Sequence, residues 1–285
     1  MSTVVGPQTP PPPAEQDDPW RIGWRYVRRE GPDGQVKVER VPLRQEDLLY
    51  PEEEDFIVEN PAHEDICAYL RGALFQHLTG QAGVVVLHDC RVDWGAAGVQ
   101  PLGPDFSVFD NVHVPWDHNR GTFHVAALGA RPLLVVEVTS PTTRDVDLDE
   151  KVDLYFRANI PFYAIVDPRP HPTGGREVRL IGYRMDTRNH QGYFRAPPDD
   201  HGRLWLETIR LWLSGEGEYV VCFNERGERL IDLPDALRAV EAATLRAETA
   251  EARATAAEVR AKELEAEMQR FRGEAKGGPP NPAAP

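Results

Sequence analysis

The fold is decided by the stretch Leu133-Leu134-Val135-Val136-Glu137-Val138, an apolar run that predicts a buried strand and carries one carboxylate near its end. An ionised carboxylate without a partner is costly to bury, so Glu137 requires a cation or a proton there. A second β-type run, residues 105–109, follows the turn-forming pair Gly103-Pro104 and opens with another acid, Asp105. Two acids at strand ends indicate a metal site.

Lys151 supplies a cation downstream of these two acids. Asp147 and Glu150 have the spacing of a capping box, which predicts a helix that begins at Asp147 and ends before Pro161. Lys151 lies on the flank of the apolar face of this helix, so its side chain can reach inward; that face comprises Leu148, Val152, Tyr155 and Phe156. Two anionic metal ligands and one cationic side chain are the groups that a metal-dependent phosphodiesterase requires.

The composition favours one main domain with appendages. The chain has 285 residues, of which 41% are hydrophobic and 27% are charged, enough for one sizeable core. Its net charge of −14 repels nucleic acid at long range unless basic residues are concentrated locally. Residues 157–210 carry nine arginines, no lysine and six acids, a net charge of +3 that gives modest support to a nucleic-acid site.

The cysteines and the N-terminus predict a cytoplasmic protein. Cys67, Cys90 and Cys222 are widely separated and odd in number, which fits neither a disulfide framework nor a zinc knuckle. The first residues lack the basic and apolar segments of a signal peptide, and no segment approaches membrane-spanning length. We therefore expect no association with a membrane.

The sequence before and after the two acids predicts a disordered tail, a hairpin, a helix and further strands. Residues 1–19 are proline-rich with an acidic run and predict disorder, and residues 20–41 predict a β-hairpin around Gly31-Pro-Asp-Gly34. Residues 62–78 predict a helix, and a last group of short runs predicts strands that complete one sheet; these are residues 84–87, 162–166, 178–183, 204–206 and 219–223. The strand at 162–166 is expected to close at Asp167-Pro168.

A heptad pattern from Val240 to Phe271 predicts a coiled coil. Arginine occupies three g positions and glutamate three e positions, which favours a parallel homodimer through residues 240–271 with a weak, alanine-rich seam. A single helix held by its own charge pairs is the alternative. The glycine- and proline-rich residues 274–285 predict a disordered tail.

The acids, the lysine and their neighbours together resemble the Uma-type restriction endonuclease family of the PD-(D/E)XK nuclease superfamily. The resemblance spans about residues 62–213 and is carried by Pro104-Asp105, the run from Val136 to Asp145, Lys151 with Tyr155, and Val166-Asp167-Pro168. It implies a restriction-endonuclease-like αβββαβ core with a mixed sheet and with Asp105 and Glu137 as metal ligands. It also implies a helical ligand at Glu64, beside a histidine that the family often has, here His63.

The chain departs from the superfamily pattern at two places. Lysine commonly stands two residues after the second acid, but Thr139 occupies that position, so Lys151 would have to supply the lysine function. Phe162-Tyr163-Ala164 replaces a Glu-Tyr-Trp that the family usually has, which removes one acid from that strand.

These observations predict a metal-dependent endonuclease that hydrolyses phosphodiester bonds, and DNA is the expected substrate. Carboxylates favour Mg²⁺ or Mn²⁺, and we expect the carbonyl of Val138 to be a further ligand. The predicted domains are a nuclease-like domain at 20–235 and a coiled-coil helix at 236–273. Two alternatives are a nuclease-fold module that binds nucleic acid without cleaving it, and an assembly protein that acts through the coiled coil. Asp89 and Asp93 are candidate site carboxylates, for which a role as loop acids is the favoured interpretation. Ser140 and Thr142 are candidate nucleophiles, but no histidine stands near them in a recognisable arrangement, so turn and cap roles are favoured.

Overall fold

The computed structural model describes residues 18–32, 34–117, 119–186, 192–230 and 233–276. The chain divides into two compact units, residues 1–230 and 231–285. Most of the two predicted disordered tails lies outside the described residues. Within the described part, no helix has both the length and the apolar composition that a membrane crossing requires.

The described residues form strands and helices in alternation along the first unit and one long helix in the second. The helices are α1 (Gln45–Leu49), α2 (Pro61–Leu78), α3 (Val125–Leu128), α4 (Arg144–Leu148), α5 (Glu150–Arg157) and α6 (Leu233–Lys276). The strands are β1 (Gly23–Glu30), β2 (Val36–Pro42), β3 (Phe56–Ile57), β4 (Val85–His88), β5 (Arg91–Asp93), β6 (Phe106–Asp110), β7 (Thr122–His124), β8 (Arg131–Val138), β9 (Phe162–Pro170), β10 (Arg176–Met185), β11 (Tyr193–Ala196), β12 (Leu204–Leu206), β13 (Leu211–Glu216) and β14 (Tyr219–Asn224).

The largest sheet is mixed and has the strand order β11-β10-β9-β8-β6-β4. β8 and β9 run parallel, because α4 and α5 form the crossover that a parallel connection needs, and the other neighbouring pairs are antiparallel. The elements α2, β4, β6, β8, α5 and β9 follow the predicted order of helix, three strands, helix and strand. The mixed α/β class is therefore confirmed.

Alternation along β8 separates two apolar layers. Leu134, Val136 and Val138 pack with α2 in one buried cluster, whereas Val135 packs with residues of α5 and β9 in the other. Glu137 shares the parity of Val135, so its side chain lies on the same side of the sheet as α5. This parity places the carboxylate under the helix that carries Lys151.

Three sequence predictions are corrected by the structure. The runs at 204–206 and 219–223 do not complete the main sheet; with β13 they form a separate sheet, ordered β12-β13-β14, whose alternate residues pack into the α2 cluster. β9 does not close at Asp167-Pro168 but continues to Pro170. Its pairing with β8 ends at Val166, so beyond that residue β9 is an edge on this side, where proline is tolerated.

The third correction concerns the helix predicted to begin at Asp147. α4 begins earlier, after Thr143, and the chain breaks at Asp149 before α5 begins. Asp147 therefore lies inside α4 and does not cap a helix. Its carboxylate pairs instead with Lys151. The second helix does end before Pro161, as predicted.

Candidate active site

Strand register brings the two predicted acids together. β6 and β8 pair antiparallel, with Phe106 opposite Val136, so Asp105 and Glu137 lie one step beyond this pair and face each other across the strand ends. The backbone N–H of Asp105 points to the Glu137 carboxylate at 3.4 Å, and the N–H of Val138 donates to the Asp105 carboxylate at 2.7 Å. Each acid is thus fixed by the backbone of the neighbouring strand.

Glu137 is buried and is held by two donors from α5. Lys151 Nζ and the Tyr155 hydroxyl both donate to its Oε1, at 2.8 and 2.6 Å, and the residue is only 2% exposed. Burial raises the pKa of Glu137 because it outweighs the opposing charge of Lys151. The strand and the helix therefore meet at this carboxylate.

Lys151 lies between two carboxylates. Its Nζ is 2.8 Å from Glu137 and 2.9 Å from Asp147, one helical turn earlier. Burial would lower the pKa of Lys151, but the charges of Asp147 and Glu137 outweigh it and raise that pKa above its ordinary value. The ammonium is therefore charged and fixed in position.

Asp105 is held by a histidine from the start of α2. His63 Nε2 lies 3.3 Å from the Asp105 carboxylate, and its Nδ1 lies 3.6 Å from Glu59. Burial alone would lower the pKa of His63, but Asp105 and Glu59 outweigh it and raise it to about 9. The cationic imidazole in turn holds the pKa of Asp105 below its usual range, against the opposing effect of burial.

Apart from Tyr155, these side chains line one cavity of about 330 Å³. All five predicted site residues belong to its wall, namely Asp105, Glu137, Lys151, Val138 and Glu64. The side chain of Glu64 is exposed and lies at the rim.

The sequence did not predict three features of the site. These are the carboxylates of Asp147 and Glu59 and the hydrogen bond that Tyr155 donates to Glu137. A usable signal was present: Asp147, Lys151 and Tyr155 follow one another at intervals of four, which places them in one stripe where side chains meet. The capping-box interpretation of Asp147 hid this pattern. Glu59 stands before α2 and carried no comparable signal.

The remaining sequence candidates differ in their partners and in their position relative to the cavity. Thr139 is buried and donates to Asp167 at 2.9 Å, and Asp167 is also bound by Arg144 and Arg169. Asp93 is not a loop acid but the last residue of β5, and it pairs with His124 at 3.0 Å, away from the cavity. Asp89 lies in the loop after β4, as predicted, and lines the cavity. The Ser140 hydroxyl accepts from backbone N–H groups of the following turn, which confirms its predicted turn role.

The arginines of residues 157–210 do not form the basic patch that their number suggested. Arg195 lies over the ring of Tyr183. The other described arginines of this segment each lie near a carboxylate, namely Arg157, Arg169, Arg176, Arg179, Arg184, Arg203 and Arg210. Their positive charge is largely neutralised where they lie.

Comparison with known proteins identifies a family. The model of the Uma2 family, described as "Putative restriction endonuclease", matches residues 43–246. Among solved structures, the chain is similar to the crystal structure of a putative nuclease belonging to DUF820 from Anabaena variabilis, with 14% identity, 57% of this chain and 72% of that chain covered, and a TM-score of 0.30. Comparison with curated proteins gives no match. Because the matched segment covers more than half of the chain and contains every residue that lines the cavity, the chain belongs to the Uma2 family.

Proposed function

We propose that this protein is a metal-dependent endonuclease that hydrolyses phosphodiester bonds in nucleic acid, with DNA as the expected substrate. The observation that carries the proposal is the convergence of Asp105, Glu137 and Lys151 on one cavity from two strand ends and a helix. The order of elements around this cavity supports a restriction-endonuclease-like αβββαβ core. Family membership supports the reaction class.

The charges of the site fit a divalent cation. Four carboxylates, Glu59, Asp105, Glu137 and Asp147, surround two cations, His63 and Lys151. When all four acids are ionised, they exceed the cations by two charges, which a dication would balance. Carboxylate oxygens are the ligands that Mg²⁺ and Mn²⁺ prefer. Asp105 and Glu137 would hold the metal, with the Val138 carbonyl and Glu64 as further oxygen donors. Such an ion would neutralise charge on the phosphate and lower the pKa of water.

The protein's own side chains supply the remaining functions. Lys151 can donate to a phosphate oxygen or orient the attacking water, because an ammonium donates in three directions and here is kept charged. Asp147, 2.9 Å from the ammonium, keeps it in place together with Glu137. Tyr155 fixes the orientation of the Glu137 carboxylate.

The decisive experiment combines cleavage with metal-dependent stability. Plasmid, linear duplex and single-stranded DNA are incubated with Mg²⁺, Mn²⁺ or EDTA, and thermal unfolding is followed with and without metal. We expect metal to permit cleavage and to raise the melting temperature, and Asp105→Asn or Glu137→Gln to abolish both effects. Asp93→Asn is the control, because this acid lies away from the cavity. An equal metal response in all four proteins would contradict the proposed site.

A second candidate is a nuclease-fold module that binds nucleic acid without cleaving it. It is favoured by Thr139, which stands where the superfamily commonly has lysine and whose hydroxyl is bound to Asp167. Lys151→Met should abolish cleavage and retain metal binding if Lys151 performs the lysine function, and Thr139→Ser should remain active. Equal cleavage by both variants would refute that role for Lys151, and metal binding without cleavage by the unaltered protein would favour the binding module.

A further inference from the structure

The small sheet β2-β1-β3 presents a face of aromatic and basic side chains. Trp24, Tyr26 and Arg28 alternate along β1 on this face. The register places Phe56 opposite Trp24, Arg40 opposite Tyr26 and Val38 opposite Arg28, so residues of all three strands share the face. We call this face the aromatic platform.

The rings of the aromatic platform form a row across the sheet. The Arg40 guanidinium lies 4.6 Å from the ring centre of Trp20 and 4.0 Å from that of Trp24. Trp24 stacks on Phe56 with 5.5 Å between ring centres and 8° between the ring planes. Because β1 is the central strand, Arg40 and Phe56 flank Trp24 from opposite sides, and the row ends at Phe56.

The open end of this row adjoins the candidate active site. Phe56 lines the same cavity as Asp105, Glu137 and Lys151. Phe56 and its edge-on neighbour Tyr26 are each 49% exposed, which is unusual for large aromatic side chains on one surface. A flat ligand stacked there would lie next to the catalytic groups.

The charge of the segment indicates the kind of ligand. Residues 20–44 carry seven basic and three acidic residues, although the whole chain has a net charge of −14. Three of the seven, Arg25, Arg29 and Arg44, pair with carboxylates. On the opposite face of the sheet, Arg25 is bound by Asp47, Glu52 and Asp55. Among the described residues, no carboxylate lies within ion-pair distance of Arg28 or Arg40 on the platform.

We propose that the aromatic platform binds an unpaired nucleic-acid strand and leads it into the cavity. Exposed aromatic rings beside basic side chains are the usual surface for single strands, because every base offers a face for stacking and every phosphate a negative charge. Bases within a duplex are already stacked, so the platform favours single-stranded or frayed substrates. This inference rests on the proposed nuclease function and adds the form of its substrate.

Binding to a labelled single-stranded oligonucleotide, measured by fluorescence anisotropy with Ca²⁺ in place of Mg²⁺, tests the proposal. Phe56→Ala and Tyr26→Ala should each weaken binding by about tenfold, the loss expected for one stacked base. Phe194→Ala is the matched control, because Phe194 is 53% exposed but lies on the edge strand β11. Arg28→Gln should reduce the salt dependence of binding by about one counterion.

A second variant separates stacking from folding. Phe56→Leu keeps the apolar volume and removes the ring, so it should melt like the unaltered protein and bind as weakly as Phe56→Ala. The proposal is overturned if these variants bind like Phe194→Ala, or if a blunt duplex binds as tightly as the single strand. Cleavage is assayed separately: binding that depends on Phe56 without any cleavage would refute the nuclease function alone, and cleavage without that dependence would refute the platform alone.

Discussion

At the scale of single residues, the site is a balance of buried charges rather than a set of isolated ligands. Lys151 is one of four lysines among 32 basic residues, so a chain that otherwise uses arginine has a lysine at its buried site. A compact ammonium fits between Glu137 and Asp147, where a planar guanidinium would need more room and more acceptors.

Asp147→Asn tests whether Asp147 positions Lys151. The amide of asparagine keeps the shape of the side chain but removes its charge. Lys151 is then left with Glu137 as its single anionic partner, and in the metal-bound protein Glu137 would also hold the metal. We expect the single-turnover cleavage rate to fall by at least about tenfold, the effect of misplacing one catalytic group. Asp145→Asn should have no effect, because that side chain is 98% exposed on the same helix.

NMR signals of the lysine ammonium groups provide a measurement that does not depend on activity. With ¹⁵N-lysine labelling, the four lysines give few signals, and the buried Lys151 ammonium should exchange slowly with water. Faster exchange in Asp147→Asn, but not in Asp145→Asn, is expected. Unchanged exchange together with unchanged cleavage would show that Asp147 is not a positioning residue.

Glu59 gives the site a dependence of stability on pH. Burial raises the pKa of Glu59 to about 7, against an ordinary value of 4.5, because it outweighs the attraction of His63. The Glu59 carboxyl group therefore binds a proton more tightly in the folded state than in the unfolded state. The stability that this proton contributes is lost as pH rises from about 4.5 through 7. Glu59→Gln should raise the free energy of unfolding by about 1–3 kcal/mol at pH 8. At pH 4, where the acid is largely protonated in both states, the variant should melt nearly like the unaltered protein.

At the scale of elements, the hairpin and the long helix α2 could be predicted because their periodicity is strong and local. Residues 20–41 and 62–78 form the predicted elements, and the strand of Glu137 has the predicted burial. The separate sheet of β12, β13 and β14 could not be predicted, because alternation shows which residues are buried but not which sheet they join. The break at Asp149 was also hidden, since capping-box spacing also arises within a helix.

The attachment of the hairpin depends on Arg25. Its guanidinium binds Asp47 of α1 and Asp55 before β3, and the Asp55 side chain is only 1% exposed. Arg25→Met leaves that acid buried without its cation, so we expect the protein to lose about 3 kcal/mol of stability. Hydrogen exchange should show faster exchange in β1 and β3. Arg29→Met is the control, because its pair with Glu39 is exposed and should change stability by less than about 0.5 kcal/mol.

At the scale of the whole molecule, the described residues of the second unit form a single helix with an exposed heptad seam. α6 covers the predicted coiled-coil segment, and the side chains of Val240, Leu264 and Met268 at its a and d positions are exposed. The side chain of Phe271, the last d residue, lies outside the described part. Arg260 pairs with Glu263 within the helix, the arrangement that a single helix would use.

The charge pattern of α6 predicts a weak, salt-sensitive homodimer. In a parallel pair, three arginines at g face three glutamates at e of the other chain, and each exposed pair contributes about 0.2–1 kcal/mol. The alanine seam adds little, so sedimentation should show dimers at low salt that dissociate at high salt. Changing all three arginines to glutamate should give monomers that still bind metal; the residues are Arg246, Arg253 and Arg260.

Charge exchange provides the matched control for this dimer. A second variant carries arginine at the three e positions, Glu251, Glu258 and Glu265. Each variant alone places like charges opposite each other, whereas a mixture of the two restores opposite charges in every pair. The mixture should therefore sediment as a heterodimer at low salt. If the unaltered protein stays monomeric at high concentration and low salt, α6 is a lone helix, and an assembly role through this segment is refuted.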